Sequence, residues 1–257
     1  MKNILKYLFL LTAFQSFGQE LSVPVFTQYL ADNDFVLSPT FAGIGNNFRT
    51  RINGLSQWVG IKNAPQNQAL YSDIRIANSS GVGLTAYNDR NGNTRQQGIK
   101  FSFAHHIILD YNTEQYLSFG ISYNINMFRI AIENFNTTYE NPIIDPFVND
   151  DRSITNHNFD VGFLYRFKDF WLSANANNIL TKDLYVFSDL EPNSLLNLQF
   201  YTGYVIKSSN YSQFEPSAFV QLFKSDGRSS TDLNFKYKKF NGNNDFYWVG
   251  ASYRFLN

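Results

Sequence analysis

The sequence predicts an all-β protein, a transmembrane antiparallel up-and-down β-barrel of about 11–14 strands. Three observations predict it. Many segments alternate between apolar and small polar residues. Aromatic residues make up 18% of the chain and charged residues only 16%. Short and long connections also alternate along the chain. A barrel in a membrane produces such a composition because only every second residue of each strand faces lipid.

The stretch EQYLSFGISYNINMF, residues 114–128, shows the alternation most clearly. Side chains of a strand point in turn to its two faces. One face carries Leu117, Phe119, Ile121, Tyr123, Ile125 and Met127. The other face carries Ser118, Gly120, Ser122, Asn124 and Asn126. The first face suits lipid, and the second suits a wet lumen.

Comparable patterns along the chain predict about eleven strands, many of them longer than the ~5–6 residues usual in soluble sheets. Tilted strands need ~9–11 residues to cross a membrane. The predicted strands are 48–58, 69–77, 81–88, 98–109, 116–130, 157–168, 169–179, 195–207, 212–224, 231–240 and 245–255.

Connections of two kinds join these strands. The short ones are 78–80, 110–113, 168–169 and 208–211, and the long polar ones are 88–95, 133–152 and 181–193. Outer-membrane barrels have short periplasmic turns and long external loops, whereas a Greek-key sandwich mixes both at each end. The regularity favours the barrel. A soluble, ligand-binding β-sandwich is a weaker alternative.

The N-terminus predicts export. Lys2 and Lys6 precede the apolar run 7–14, and Ser16 and Gly18 are small residues where a signal peptidase needs them. We therefore predict a signal peptide over residues 1–18 and an outer-membrane location.

Two further units follow the predicted signal peptide. Pro24 and Pro39 indicate a non-strand stretch. Residues 19–46 are therefore predicted to be an N-terminal periplasmic or plug-like segment. Residues 47–257 are predicted to form the barrel.

The alternation of side chains along each strand also predicts where several of them lie. Arg49 and Arg51 share a face and are predicted to line the lumen, where they could pair with Asp73 or with the N-terminal segment. Trp58 and Trp171 are predicted to belong to aromatic girdles at the two membrane interfaces.

No catalytic, cofactor or metal site is predicted. The chain has no cysteine, which excludes disulfides and cysteine-based metal sites. Its formal net charge is zero, without the basic stripe typical of nucleic-acid binders. His105 and His106 fall on opposite faces of one strand, and His157 has no partner at ligand spacing. A hydrolase is the weakest alternative.

Several strings carry a family resemblance. FTQYL, SPTFAG, SQWVGIKNAP and GVGLTAYNDRNG are followed by FDVGFLYRFKDFWLSANAN, FEPSAFVQLFKSDGRSSTDLNFKY and FYWVGASYR. In this order, residues 28–254 resemble the PorP/SprF family of outer-membrane proteins of the type IX secretion system. Two departures are Ser38-Pro39-Thr40, where the family prefers Asn-Pro-Ala, and Ala64-Pro65-Gln66-Asn67, where it prefers Ala-Pro-x-Thr.

The resemblance implies a non-enzymatic component without cofactors that assists secretion or surface retention of partner proteins, and gliding motility in some relatives. Implied partners are adhesin-like secreted proteins with a type IX C-terminal domain, the secretion machinery and membrane lipid. A porin-like passive channel is the alternative. The family-motif residues predicted to contact partners are Gln28, Tyr29, Pro39, Gly43, Gln57, Trp58, Ala64, Pro65, Asn88, Asp89, Gly92, Asp145, Pro146, Glu215, Pro216, Asp232, Gly250, Tyr253 and Arg254.

Length is a further departure from the family. Its members usually continue for several strands after the counterpart of residues 250–254, and bacterial barrels usually have an even strand number. A C-terminally shortened copy is one expectation. The other is a divergent copy, since Tyr253 and Phe255 give the last strand an aromatic ending that resembles a barrel-assembly signal.

Overall fold

The computed structural model describes residues 33–45, 47–61, 63–130, 152–180, 196–224, 227–242 and 245–256. Within them, twelve antiparallel strands form one sheet, preceded by two short 3-10 helices, Asp34–Val36 and Pro39–Phe41. The predicted all-β antiparallel architecture is confirmed. In the described part of the chain, no helix is both long and apolar enough to cross a membrane.

The strands follow one another in the sheet in chain order. They are β1 Arg49–Ser56, β2 Gln66–Ala77, β3 Ser80–Asn91, β4 Thr94–Asp110, β5 Gln115–Ile130, β6 Arg152–Phe167, β7 Phe170–Asn177, β8 Asn197–Tyr204, β9 Ile206–Ser209, β10 Ser212–Phe223, β11 Ser229–Phe240 and β12 Phe246–Leu256.

Strands β8 and β9 occupy a single position in the sheet. β8 pairs with residues 217–223 of β10, and β9 pairs with residues 212–214 of the same strand. The predicted strand 195–207 is therefore interrupted, at Val205, whose N–H donates to the carbonyl of Asp169 at 2.9 Å. Over the described residues, the sheet thus has eleven strand positions, in agreement with the prediction.

Contacts across the sheet show that it is rolled. The Arg49 guanidinium on β1 donates to the Phe41 carbonyl at 3.3 Å, and the Phe41 ring lies 6.3 Å from the ring of Tyr201 on β8. In a flat sheet, β1 and β8 would be about 34 Å apart, at about 4.8 Å per step. The sheet therefore curls around Phe41 as a barrel wall does. Among the described residues, no ladder joins β1 to β12.

The two faces of the rolled sheet differ as predicted. On β5, Ser118, Ser122 and Asn124 point inward and are at most 2% exposed. Phe119 and Ile121 point outward and are 48% and 47% exposed. Soluble proteins do the reverse, because they bury apolar side chains and expose polar ones to water. The pattern fits lipid outside and a polar interior.

The outward apolar residues form a band of defined height, called the apolar band below. On β5 it runs from Leu117 to Met127, and on β4 from Ile99 to Leu109. Ten residue steps cover about 33 Å along a strand, or about 25 Å along the membrane normal at the usual tilt. This height matches the apolar band of outer-membrane barrels. His105 is the one polar residue in this stretch of the outward face of β4, and its ring forms a hydrogen bond with Ser80 Oγ at 3.0 Å.

The prediction of a loop at 88–95 is wrong. β3 continues to Asn91 and β4 starts at Thr94, so only Gly92 and Asn93 form the turn, with φ of +61° at Gly92. These strand ends lie beyond the apolar band, where the outward face carries polar residues such as Asn88, Arg90 and Arg95. Polar residues on both faces hid the strand period there. The predicted loops 133–152 and 181–193 lie outside the described residues, apart from Arg152, which begins β6.

The placement of Trp171 in an interfacial girdle is also wrong. Its ring lies on the inner face, over Gly203 and 5.8 Å from the ring of Tyr201. The physical reason is strand parity, because Trp171 shares its face with Ser173 and Asn175, which are buried inside. Trp58 lies in the β1–β2 connection, beyond the apolar band.

Ile121 lies near the middle of the apolar band and tests which solvent the outward face meets. We expect Ile121→Arg to reduce the free energy of unfolding in lipid vesicles by about 2–4 kcal/mol, as for a cation at the bilayer midplane. The matched control Ser56→Arg, outward and beyond the band, should cost about 0–1 kcal/mol. Equal, small effects in urea titrations would mean that the outward face meets water.

Candidate functional site

Residues 33–45, called the N-terminal segment below, lie against the inner face of the sheet. Ser38 caps its second 3-10 helix, since Ser38 Oγ accepts from Thr40 N at 3.2 Å, and Pro39 takes the first helical position. Phe35, Leu37 and Phe41 are at most 6% exposed and belong to the main buried apolar cluster. The apolar core of the molecule therefore lies between this segment and the inner wall.

Small residues of the wall let the segment's backbone approach closely. A Cβ at Gly120 on β5 would lie 2.6 Å from Thr40 N, and one at Gly81 on β3 would lie 2.4 Å from the Ala42 carbonyl oxygen. Gly43 of the segment has φ of +69°, and its own Cβ would lie 2.6 Å from the Gly81 Cα. Glycine is needed here both for contact distance and for backbone conformation.

Charged side chains of β1 and β2 bind the end of the segment at Gly43. Asp73 Oδ2 accepts from Gly43 N at 3.0 Å and from the Arg49 guanidinium at 2.5 Å. Arg75 Nε donates to the Gly43 carbonyl at 3.0 Å. The Asp73 side chain is 1% exposed, so its charge needs this pairing. The predicted Arg49–Asp73 pair is confirmed.

Histidine and amide side chains hold the middle of the segment. His106 Nε2–H donates to the Ala42 carbonyl at 2.9 Å, and its Nδ1 lies 2.8 Å from Ser118 Oγ. Ser38 Oγ donates to the side-chain carbonyl of Asn175 on β7. These bonds satisfy groups that are buried between the segment and the wall.

Asp34 fastens the beginning of the segment. Its Oδ1 accepts from the Tyr201 hydroxyl at 3.2 Å. Burial, with repulsion from Glu215, raises the pKa of Asp34 to about 6, although Lys236 and Arg51 oppose the shift. Lys236 Nζ itself lies 2.9 Å from Glu215 Oε1. A carboxyl group that titrates near neutrality therefore sits at the contact between the segment and β8, where charged residues of β10 and β11 also influence it.

The predicted contact residues fall into separate groups. Pro39 and Gly43 are buried in the N-terminal segment. Gln28, Tyr29, Asp145 and Pro146 lie outside the described residues, as do the predicted signal peptide and residues 19–32.

A second group meets at the end of the sheet that carries the predicted long loops. Residues 57–61 and 63–65, called the rim loop below, lie between β1 and β2 and contain Gln57, Trp58, Ala64 and Pro65. The β3–β4 hairpin, with Asn88, Asp89 and Gly92, is fastened to it, because Gly92 N donates to the Asn63 carbonyl at 3.1 Å.

The rim loop exposes unusual apolar area. Trp58, Val59 and Ile61 are 67%, 87% and 63% exposed. Between them and the apolar band, the outward residues of β1 and β2 are polar or small: Gly54, Ser56, Gln66 and Gln68. Their position beyond this polar belt separates them from the lipid-facing surface.

A third group lies on β10–β12 and is not brought together at one surface. Asp232 and Arg254 form an inward ion pair with bonds of 2.7 and 3.0 Å. Glu215 pairs with Lys236, which lies opposite Gly250 in the ladder. By strand parity, Pro216 and Tyr253 point outward.

Sequence reasoning missed the residues that hold the N-terminal segment, chiefly His106, Arg75, Asn175 and Tyr201. Gly81, Ala104, Gly120 and Gly162, register partners across four neighbouring strands, were an available signal of a close backbone approach. Among the described residues, no group of three or more metal-ligating side chains is placed to hold a metal ion. The arrangement binds a polypeptide segment.

Comparison with known proteins identifies one family. Residues 18–257 match the family model described as "Type IX secretion system membrane protein PorP/SprF". No curated protein and no solved structure matches the chain.

Gly120→Val tests the seating of the segment. The added side chain would collide with Thr40 N and the Pro39 backbone, so we expect the segment to leave the wall. A nitroxide on Val36→Cys, introduced into a chain without cysteine, should then gain mobility in its EPR spectrum. The control Gly54→Val, where a Cβ meets nothing within 4 Å, should leave the spectrum unchanged. An immobile label in both variants would contradict the seating.

The nitroxide label on Val36→Cys also tests whether the protonation of Asp34 controls the seating of the segment. Because its pKa is raised to about 6, the seated segment favours the protonated carboxyl. Its stabilisation is full below the ordinary value of 3.8 and is lost as pH rises through about 6. We expect label mobility to increase between about pH 4 and pH 7 in the wild type and to stay constant in Asp34→Asn. The same increase in both proteins would exclude Asp34 as its cause.

Proposed function

Because the chain belongs to the PorP/SprF family of type IX secretion system membrane proteins, we propose that it is an outer-membrane barrel that assists secretion or surface retention of partner proteins by binding them at its rim. The partners would be adhesin-like proteins with a type IX C-terminal domain, together with the secretion machinery. The role requires binding and no covalent chemistry.

The observation that carries the proposal is the position of the N-terminal segment. Its backbone touches the inner wall at Gly81 and Gly120, and its Ser38 and Thr40 side chains touch the wall at Gly162. Its apolar side chains belong to the main buried apolar cluster. A secreted protein would have to displace this segment to pass through the lumen. Binding at the rim leaves these contacts intact.

The rim loop supplies a surface suited to that role. Trp58, Val59 and Ile61 are exposed beyond the polar belt, so contact with the lipid core does not explain them. Hydrogen bonds from Gly92 and Arg90 of the β3–β4 hairpin hold the loop at Asn63, which limits the entropy cost of binding. Large apolar and aromatic side chains are typical anchors of protein interfaces.

Rim binding is tested with Trp58→Ser combined with Ile61→Ser in the native host. We expect fewer surface-retained proteins bearing the type IX C-terminal domain, counted by surface proteomics, at an unchanged amount of heat-modifiable barrel. Tyr111→Ser removes an aromatic that is 75% exposed at the opposite end and should have no effect. Unchanged retention in both variants would contradict the proposal.

The passive channel is the alternative, favoured by the polar inner wall. It predicts ion conductance from the wild-type protein in planar bilayers. Rim binding with a seated segment predicts a closed wild type and conductance only after Gly120→Val displaces the segment.

A further inference from the structure

Three arginines stand side by side on the outward face near the rim. Arg90 of β3 is the register partner of Arg95 of β4, which in turn is the register partner of Arg129 of β5. All three side chains are exposed. We infer that these residues, called the arginine row below, bind the phosphate of a lipid headgroup in the leaflet at the long-loop end. This inference rests on the proposed membrane location.

The row places like charges in an unfavourable arrangement. Side chains directly opposite each other in antiparallel strands have Cβ atoms about 4.5–5.5 Å apart, and like charges there are destabilising. The outward faces of β3, β4 and β5 carry no aspartate or glutamate within these described strands. The nearby Asp89 faces inward, where its Oδ1 accepts from Asn67 at 3.0 Å. A bound anion would offset the repulsion.

Neutral partners orient two of the guanidinium groups. Arg95 Nε donates to Asn88 Oδ1 at 2.8 Å, and Arg90 donates to Asn63 Oδ1 in the rim loop. The third member of the row, Arg129, also interacts with another group of the protein. An amide accepts a hydrogen bond without neutralising the cation. The planar guanidinium groups of Arg90 and Arg95 therefore keep both their charge and further donors for a phosphate.

The position of the arginine row along the membrane normal indicates that the phosphate belongs to a lipid. Arg129 follows Met127, the last apolar residue of the band on β5, by two positions. Two residues add about 5 Å along the membrane normal at the usual strand tilt. The headgroup layer extends about 5–8 Å beyond the hydrocarbon core on each side. The arginine row thus lies at the level of headgroup phosphates.

The test uses the full chain, purified in a non-ionic detergent, and bis-phosphorylated lipid A as the probe. Binding is compared between the wild type and the triple variant R90Q/R95Q/R129Q. A matched control, K168Q/K207Q/K239Q, removes the same charge from exposed lysines at the short-turn end. Dephosphorylated lipid A and inorganic phosphate are the two comparison ligands. A heat-dependent gel shift verifies that each variant is folded.

We expect the triple variant to bind lipid A at least about tenfold more weakly, since each lost charge-assisted bond is worth more than the 1.4 kcal/mol of one tenfold step. The lysine control should stay within about twofold of the wild type. The wild type should prefer lipid A to its dephosphorylated form. Equal affinity of the triple variant, or inorganic phosphate binding as tightly as lipid A, would overturn the inference.

Stability without lipid gives a second readout. Removing the like-charge repulsion should raise the melting temperature of R90Q/R95Q/R129Q in lipid-free detergent, whereas a purely structural role predicts a lower one. R90K/R95K/R129K keeps the charge but loses the bidentate geometry, and should bind lipid A between the two extremes. These measurements do not involve secretion, so they can fail or succeed independently of the proposed function.

Discussion

The close approach of the N-terminal segment to the glycines of the inner wall is the contact on which the rest of the structure depends. Without side chains at Gly81 and Gly120, the segment's backbone reaches the wall directly. Its buried N–H and carbonyl groups must then find partners, because water is excluded there. Asp73 and His106 supply them. The apolar side chains of the segment, placed by the same contact, form the core.

The apolar residues of this protein serve two different surroundings. Those of the segment pack against Tyr201 and Phe219, which are at most 1% exposed, in a tightly filled interior. The larger number, on the outward strand faces, forms the apolar band and gains nothing from internal packing. Stability in water would be poor for such a molecule, since its exposed apolar area far exceeds its core. In lipid, the ladders and the segment hold the wall together.

The sequence correctly predicted those features that depend only on the alternation of side chains along a strand. Strand parity predicted which side chains face inward, including Arg49 and its partner Asp73. It was misapplied to Trp171, whose parity with Ser173 already placed it inside. The β3–β4 strands beyond the band could not be recognised, because strands that carry polar residues on both faces lose the two-residue period. The role of His106 depends on Ala42, 64 residues away in sequence, and no local pattern encodes such a contact.

The glycine-lined wall also has a consequence for how the sequence can change. Lipid is fluid and adapts to any apolar shape, so an outward position such as Ile121 can exchange with leucine, valine or phenylalanine at little cost. The wall beneath the N-terminal segment has no such freedom, because even one methyl group at Gly120 meets Thr40. Outward positions are therefore constrained in polarity alone and inner ones in volume. Substitutions should accumulate on one side of every strand and stop on the other.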